Sequence, residues 1–319
     1  MTDSPVSSTH RRWGHVPVLA AEVVKAFDFG RPALVIDGTL GAGGHTEALL
    51  ERYPDMRIVG MDWDTLALST AEERLSRFGE RFQSIQSNFA DLPARLPVLS
   101  PSGIDGLLLD LGLSSLQLED AQRGFSFLRP GPLDMRMSRE LTQTAWDVLR
   151  QSSEEELARL FRTYGEEKQS RRIASLLKAA LSKGALENDA WKVAEFIRSN
   201  APARGGRIDP STRCFQALRI AVNHELENLK DLLGQMENVL VPGGRVAVIS
   251  FHSLEDRLVK RAFQQAAKGC ICPPQVPQCV CGKKPWARLI PRKAIQSTAD
   301  EIAGNPRARS ARLRLLEKR

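Results

Sequence analysis

LVIDGTLGAGGHTEALL, residues 34–50, sets a short apolar run, a glycine-rich turn and a periodic apolar tail one after another. Residues 34–38 read as a buried strand, and the tail through Ala48, Leu49 and Leu50 as a helix. Glycine suits a chain that must turn sharply or let its backbone approach another group closely. A glycine turn between strand and helix puts backbone N–H groups and a helix N-terminus at the carboxyl edge of a sheet. Open α/β sheets bind their ligands at that edge.

The same rhythm continues outward. RIVGMDWD (57–64) reads as a second strand with a helix over 66–78, FQSIQSNF (82–89) as a third strand and IDGLLLDLG (104–112) as a fourth. Strands alternating with helices imply parallel βαβ units covered on both faces. From 119 to 209 the strand pattern stops and helix signals take over. Ser153 and Glu156 make a capping box before LARLF, and Ile173, Leu176, Leu177, Ala180 and Leu181 keep helical spacing up to a C-capping Gly184. Asp209 and Pro210 then open a long helix carrying Phe215, Leu218, Val222, Leu226, Leu229 and Leu233. VPGGRVAVISF (241–251) supplies a fifth strand, and ARLIPRK and ARLRLLEK read as late edge strands. The expected architecture is α/β: a Rossmann-like, mostly parallel sheet domain formed by 1–118 and 210–319, interrupted by an all-helical insertion, 119–209.

The spelling of the turn narrows its ligand. A phosphate-binding P-loop requires Gly-Lys-Ser/Thr, whereas Gly44 is followed by His45 and Thr46. A dinucleotide fingerprint starting at Gly41 finds Gly43 and Gly44 but has Thr46 in the third glycine's place. A nucleoside without phosphates, S-adenosylmethionine, matches more of the pattern. Asp37 at the end of the first strand suits a cationic ligand and would repel a pyrophosphate. Gly41, Gly43 and Gly44 allow close approach, Asp62 ends the second strand where ribose hydroxyls are bound, Phe89 offers a face for adenine, and Asp110 ends the fourth strand. Singly, an aspartate at a strand end is more often a helix cap than a ligand and a phenylalanine such as Phe89 more often a core residue; four strand ends in order, each with a suitable group, favour the ligand.

Composition bounds the rest. The N-terminal MTDSPVSSTHRRWGH has basic residues but no apolar signal segment, and no apolar run approaches the ~18 residues of a membrane helix. A soluble cytoplasmic protein is expected. The net charge is +7, yet residues 282–319 alone carry +8. Such a basic segment attracts phosphate backbones or simply solvates a surface. Four of the five cysteines, Cys270, Cys272, Cys279 and Cys281, form C-x-C…C-x-C. That spacing offers four thiolates to zinc, against a mobile proline-rich loop as the other reading. Cys214, alone in a helical apolar pattern, reads as buried and inert.

Taken together, HVPVL (15–19), DGTLGAGGHT (37–46), DLGLSSLQL (110–118), RGFSF (123–127), GPLDMRM (131–137), TYGEE (163–167), TRCFQALRIAVNHEL (212–226), ISFHSLEDRLVK (249–260) and NPRARSARLR (305–314) resemble the bacterial 16S ribosomal RNA cytosine-N4 methyltransferases, colinearly from His15 onward. The resemblance implies a class I methyltransferase sheet with a helical substrate domain. It implies methyl transfer from S-adenosylmethionine to the exocyclic amine of a decoding-centre cytosine, in the P site of the small ribosomal subunit. The family's cofactor contacts fall on Gly43, Gly44, His45, Asp62, Phe89, Asp110 and Gln117.

Cytosine N4 is conjugated with its ring and weakly nucleophilic, so an acceptor must hold the amine in line with the sulfonium methyl. Candidates are Asp110 with Ser114 and Ser115, and His252, Ser253 and Asp256 after the fifth strand, where a capped helix start is the competing reading. Asp-Leu-Gly-Leu replaces the Asp/Asn-Pro-Pro-aromatic signature common among amine methyltransferases. For RNA, Arg123, Arg129, Arg136, Arg139, Arg198, Arg204, Arg207 and Arg213, with Arg307 and Arg309 of the tail, are the expected cations. The partner is 16S RNA or the small subunit, with no membrane and with a homodimer left open. A DNA amine methyltransferase and a non-catalytic ribosome-assembly factor are the competing functions.

Overall fold

The structure, a computed structural model, describes residues 16–201, 209–273 and 278–319. The expected cations Arg204 and Arg207, His15 and the N-terminal segment lie outside those residues. The strands are β1 (Ala33–Asp37), β2 (Met56–Asp62), β3 (Phe82–Gln86), β4 (Ile104–Asp110), β5 (Leu240–Ser250), β6 (Ala287–Leu289), β7 (Ile295–Gln296) and β8 (Arg312–Lys318). The helices, in chain order, are α1 (Ala20–Ala26), α2 (Gly44–Arg52), α3 (Thr65–Leu75), α4 (Leu92–Leu99), α5 (Ser115–Glu119), α6 (Ala145–Gln151), α7 (Glu154–Tyr164), α8 (Ser170–Ser182), α9 (Ala190–Asn200), α10 (Pro210–Asn223), α11 (Glu225–Gly234), α12 (Met236–Val239), α13 (Ser253–Ala267) and α14 (Ala299–Gly304). Among the described residues no helix is long and apolar enough to cross a membrane.

By its internal contacts the chain forms two compact units: the described residues through Gly112 with Asn228–Arg319, and Leu113–Glu227. The first unit holds one sheet, ordered β3-β2-β1-β4-β5-β8-β6, with β7 also pairing β8. β1 to β5 are mutually parallel, and β8 runs antiparallel between β5 on one side and β6 and β7 on the other. This is the Rossmann-like, mostly parallel sheet that the sequence leads one to expect. Alternate strand residues feed opposite faces: Ile36, Leu107, Leu109 and Val248 pack with Phe263 and Leu233, while Val35, Leu108 and Ile249 pack with Phe27, Leu49 and Leu50. Burial on both faces explains why these strands read as continuous apolar runs.

ARLRLLEK is not an edge strand. Arg312 and Arg314 make it look half-solvated, but β8 lies inside the sheet and both guanidiniums reach Asp256 on α13, Arg314 with Nε at 2.7 Å from Oδ1.

The second unit is helical, with no strand among its described residues. Phe161, Ile173, Leu177, Val193, Ile197 and Leu218 are buried in it. Ser153 and Glu156 do form the capping box of α7. Gly184, at φ +66°, closes α8: its N–H reaches Leu181 O and the Ala185 N–H reaches Ala180 O. Asn223, fully buried, accepts from the Met137 N–H at 2.7 Å and donates to Met135 O at 2.8 Å, fixing that loop on α10. The helix expected over 210–233 is two helices, α10 and α11, separated at His224 by a left-handed φ of +51°. The expected insertion ended before α10, whereas α10 packs on α6, α7 and α9 within the second unit.

Candidate active site

The carboxyl ends of β1, β2 and β4 build the site. Asp37 N-terminal to the turn is 1% exposed, and its two oxygens accept from the Thr46 hydroxyl at 2.8 Å and the Thr39 N–H at 3.2 Å. Burial pushes its carboxyl above the usual range, against the opposing pull of His45 and these hydrogen bonds. The sequence assigned Asp37 to ligand contact; enclosed as it is, it braces the turn. Gly41 (φ +52°) and Gly43 (φ +76°) take left-handed backbone that other residues adopt only with strain. Gly43 is the N-cap of α2, so the first N–H groups of that helix, from Gly44 and His45 on, open at the turn.

Asp62 ties β2 to the turn, its Oδ2 accepting from the Gly41 N–H at 2.9 Å and its Oδ1 from the Asp64 N–H at 3.0 Å. Burial raises its carboxyl to about 6, although those two hydrogen bonds pull the other way. Phe89 follows β3 and packs beside Gly38, where an added Cβ would come within 3.0 Å of the Phe89 Cβ. Asp110 ends β4, and its backbone N–H donates to Thr39 Oγ1 at 2.6 Å. Its Oδ2 lies 3.5 Å from His45 Nε2. Asp110 Oδ1 and both ring nitrogens of His45 are buried without any hydrogen-bond partner. Such groups cost about 1–3 kcal/mol each when left unsatisfied, so three of them at one turn mark a place where a ligand completes the set.

Arg74 was not legible as a site residue. Buried on α3, it donates from Nε and Nη2 to Glu47 Oε2 at 2.9 and 2.6 Å and from Nη1 to Ala42 O at 3.2 Å. It thereby clamps the glycine turn to α2. Its partners lie 27 and 32 positions upstream, beyond any local pattern.

The other expected catalytic residues divide. Register sets Asp110 opposite Ile249, so the ends of β4 and β5 share one edge and His252 and Ser253 follow at it. His252 N-caps α13: its Nδ1 is 3.5 Å from the Glu255 N–H, and its Nε2 is 3.0 Å from Glu255 Oε1 but off the hydrogen-bonding direction. Asp256 is not a free acceptor. Arg314 and Arg312 hold its carboxyl below the usual range against the opposing effect of burial, and the group serves to fasten α13 to β8. Ser114, Ser115 and Gln117 belong to the second unit. Ser114 Oγ accepts from the Gln117 N–H at 3.2 Å while Gln117 Oε1 accepts from the Ser114 N–H at 3.2 Å, a capping box that starts α5.

The arginines divide too. Arg123 is 5% exposed, and its guanidinium donates to the carbonyls of Arg136 and Met137 at 2.9 and 2.8 Å; it supports a loop and does not face RNA. Arg136 spends its donors on Asp134 and Leu141 O, and Arg213 lies 3.4 Å from Glu167. Arg129 and Arg139 are exposed, as is Arg309, whereas Arg307 is half-buried. In the tail, Arg288, Arg312, Arg314 and Lys318 are used within the fold, by Glu317, Asp256 and the carbonyls of Glu237 and Leu240. Much of the +8 is therefore structural. Arg257 and Lys260 of α13, with Arg309 and Arg312 of the tail, line a cavity of about 470 Å³ together with His252 and Ser253. Ser253, Arg257 and Lys260 stand on one face of α13 at helical spacing.

Cys270, Cys272, Cys279 and Cys281 come together, with their sulfurs all within 4.8 Å of one another. Cys214 is buried, and burial holds its thiol well above the usual range, as an inert core cysteine requires.

The model of the MraW methylase family matches residues 12–319. The chain belongs to the MraW methylase family. Among its relatives, the ribosomal RNA small subunit methyltransferase H of Anaeromyxobacter sp. (strain K) is 49% identical over 306 residues, covering 95% of this chain and 97% of that one. The same-named protein of Geobacter sulfurreducens is 46% identical over 310 residues, covering 96% and 99%. For a family of methylases, the turn passes the test of fit to S-adenosylmethionine on its own chemistry: unsatisfied polar atoms at His45 and Asp110, a carboxylate at the end of β2, and glycines that let the backbone come close.

Proposed function

We propose that this MraW-family chain methylates the exocyclic N4 of a cytosine in the decoding centre of 16S ribosomal RNA, using S-adenosylmethionine. The observation that carries the reading is the family match over residues 12–319, with relatives named ribosomal RNA small subunit methyltransferase H. The unsatisfied Asp110 and His45 at the carboxyl edge support it. When bound, the cofactor supplies an electrophilic methyl on a sulfonium and departs as a neutral thioether.

The residues of the chain do the rest. In this reading Asp62 accepts hydrogen bonds from the ribose hydroxyls and Phe89 packs on adenine. The glycine turn and the N-terminus of α2 receive the methionyl carboxylate through backbone N–H groups. Asp110 Oδ1 accepts a hydrogen bond from the N4 amine, orients its lone pair and takes up the proton released as the N–C bond forms. The cations around the α13 cavity meet phosphates, and the partner is the small subunit or its RNA. A second copy of the chain is no part of this mechanism.

The deciding experiment is transfer of a labelled methyl group to small subunits lacking the modification, with the product nucleoside identified by mass spectrometry. N4-methylcytidine is expected. Label on duplex DNA instead, or on no nucleic acid, would overturn the reading.

Two further outcomes follow from the site. Asp62 is ionised above about 6 and protonated below it. A protonated carboxyl loses acceptor capacity for the ribose, so S-adenosylmethionine affinity should fall as pH drops through 6. In Asp62→Asn that titration should vanish, as calorimetry across pH 5–8 would read. RNA binding should weaken steeply with salt: about four phosphate contacts give a log–log slope of roughly −3, and Arg309→Ala should flatten it by about 0.7. A flat dependence would remove the cavity from RNA binding.

A further inference from the structure

Between the end of α13 at Ala267 and β6 at Ala287 runs a connector in which the described residues form neither helix nor strand. Around the cysteines the described apolar side chains are exposed, Ile271 by 53% and Val280 by 81%, and Trp286, at the far end, is the residue that packs on the core. Its ties to the sheet unit are few, such as the Trp286 N–H to Ala266 O at 3.2 Å and Lys283 Nζ to Gln265 O at 2.8 Å. Nevertheless it turns back on itself so that four thiols meet. Thiols are poor hydrogen-bonding groups, so their mutual contacts are a weak reason for such a convergence.

The spacing is informative. Cys279 Sγ lies 3.6 Å from Cys281 Sγ, and Cys281 Sγ 3.8 Å from Cys270 Sγ. A disulfide would need about 2.05 Å. Four sulfurs at the corners of a tetrahedron, each about 2.3 Å from a central zinc, stand about 3.8 Å apart. Backbone N–H groups are also turned to the sulfurs, Ile271 N–H to Cys281 Sγ and Cys272 N–H to Cys270 Sγ, both at 3.4 Å. Donors of this kind stabilise the charge on metal-bound thiolates. Lys268, Lys283 and Lys284 flank the cluster in sequence.

We propose that Cys270, Cys272, Cys279 and Cys281 bind one zinc ion as a closed, structural site that pins the connector between α13 and β6. With all four positions filled by protein, the metal has no open coordination site for substrate and takes no part in methyl transfer. The proposal stands independently of the RNA substrate.

The test is elemental analysis of full-length protein purified under reducing conditions without chelator. About one zinc per chain is expected, with four thiols shielded from a thiol reagent until a strong chelator is added. Cys279→Ser should lose the metal while its circular dichroism and S-adenosylmethionine binding stay unchanged. Cys214→Ala should keep the metal. Cobalt added to metal-free wild type should give a thiolate charge-transfer band that Cys279→Ser lacks. If Cys279→Ser fails to fold, the wild-type stoichiometry and thiol shielding still decide. Metal-free protein with four freely reacting thiols, iron in place of zinc, or disulfides found by mass would each overturn the proposal.

Discussion

Asp110→Asn is expected to cut methyl transfer by about 10²- to 10⁴-fold, the usual range for loss of a positioned proton acceptor. The substitution keeps the side-chain shape and leaves the backbone N–H bond to Thr39 in place, because that bond does not involve the carboxylate. What changes is Oδ1, buried without a hydrogen-bond partner, and the charge facing His45 at 3.5 Å. Asparagine can present an NH2 group there, which cannot accept from an amine. Single-turnover rates should fall while S-adenosylmethionine affinity, read by calorimetry, changes less than about tenfold. Equal losses in both would make Asp110 a cofactor residue only, and unchanged turnover would remove it from the chemistry.

Arg74→Ala is expected to destabilise the sheet unit by about 3–5 kcal/mol, since it strips a buried carboxylate of its main partner. Glu47 is 5% exposed and would keep only Arg77, whose Nη2 lies 3.0 Å away and whose side chain is half in water. At roughly 2–4 °C per kcal/mol for a unit of this size, the thermal midpoint should drop by about 6–20 °C. Cofactor affinity should fall as well, because the Ala42 carbonyl in the turn loses its donor. The double variant Arg74→Met with Glu47→Gln should recover much of the stability but not the affinity. A single-variant midpoint within a degree or two of wild type would show that the pair carries no such weight.

β1, β2 and β4 were legible because parallel strands buried on both faces leave apolar runs, whereas β3, half-exposed at the sheet edge, carries no such run; all four begin within one residue of the segments read from the sequence and end within three. Site geometry followed from them: once strand order is fixed, Asp62, Phe89 and Asp110 fall at one edge. Distant pairings were not legible. Arg312 and Arg314 looked like solvent-facing residues because Asp256, which neutralises them, is 56 and 58 positions away. The break at His224 was hidden since the apolar spacing through Leu226, Leu229 and Leu233 carries on across it, with neither glycine nor proline to mark it. Arg123 was misread for a different reason. A count of arginines says nothing about which of them are enclosed, and only the carbonyls of residues 136 and 137 reveal that this one is.

The placement of β8 bears on how the protein is made. Translation completes β5 roughly 60 residues before β8, which at 5–20 residues per second leaves a gap of about 3–12 s. Through that interval the nascent chain has the backbone of Val246, Val248 and Ile249 bared along an apolar flank, an invitation to pair with a neighbouring polypeptide. Slow codons between β7 and β8 would lengthen the hazard, and a chaperone that shields this flank would shorten it.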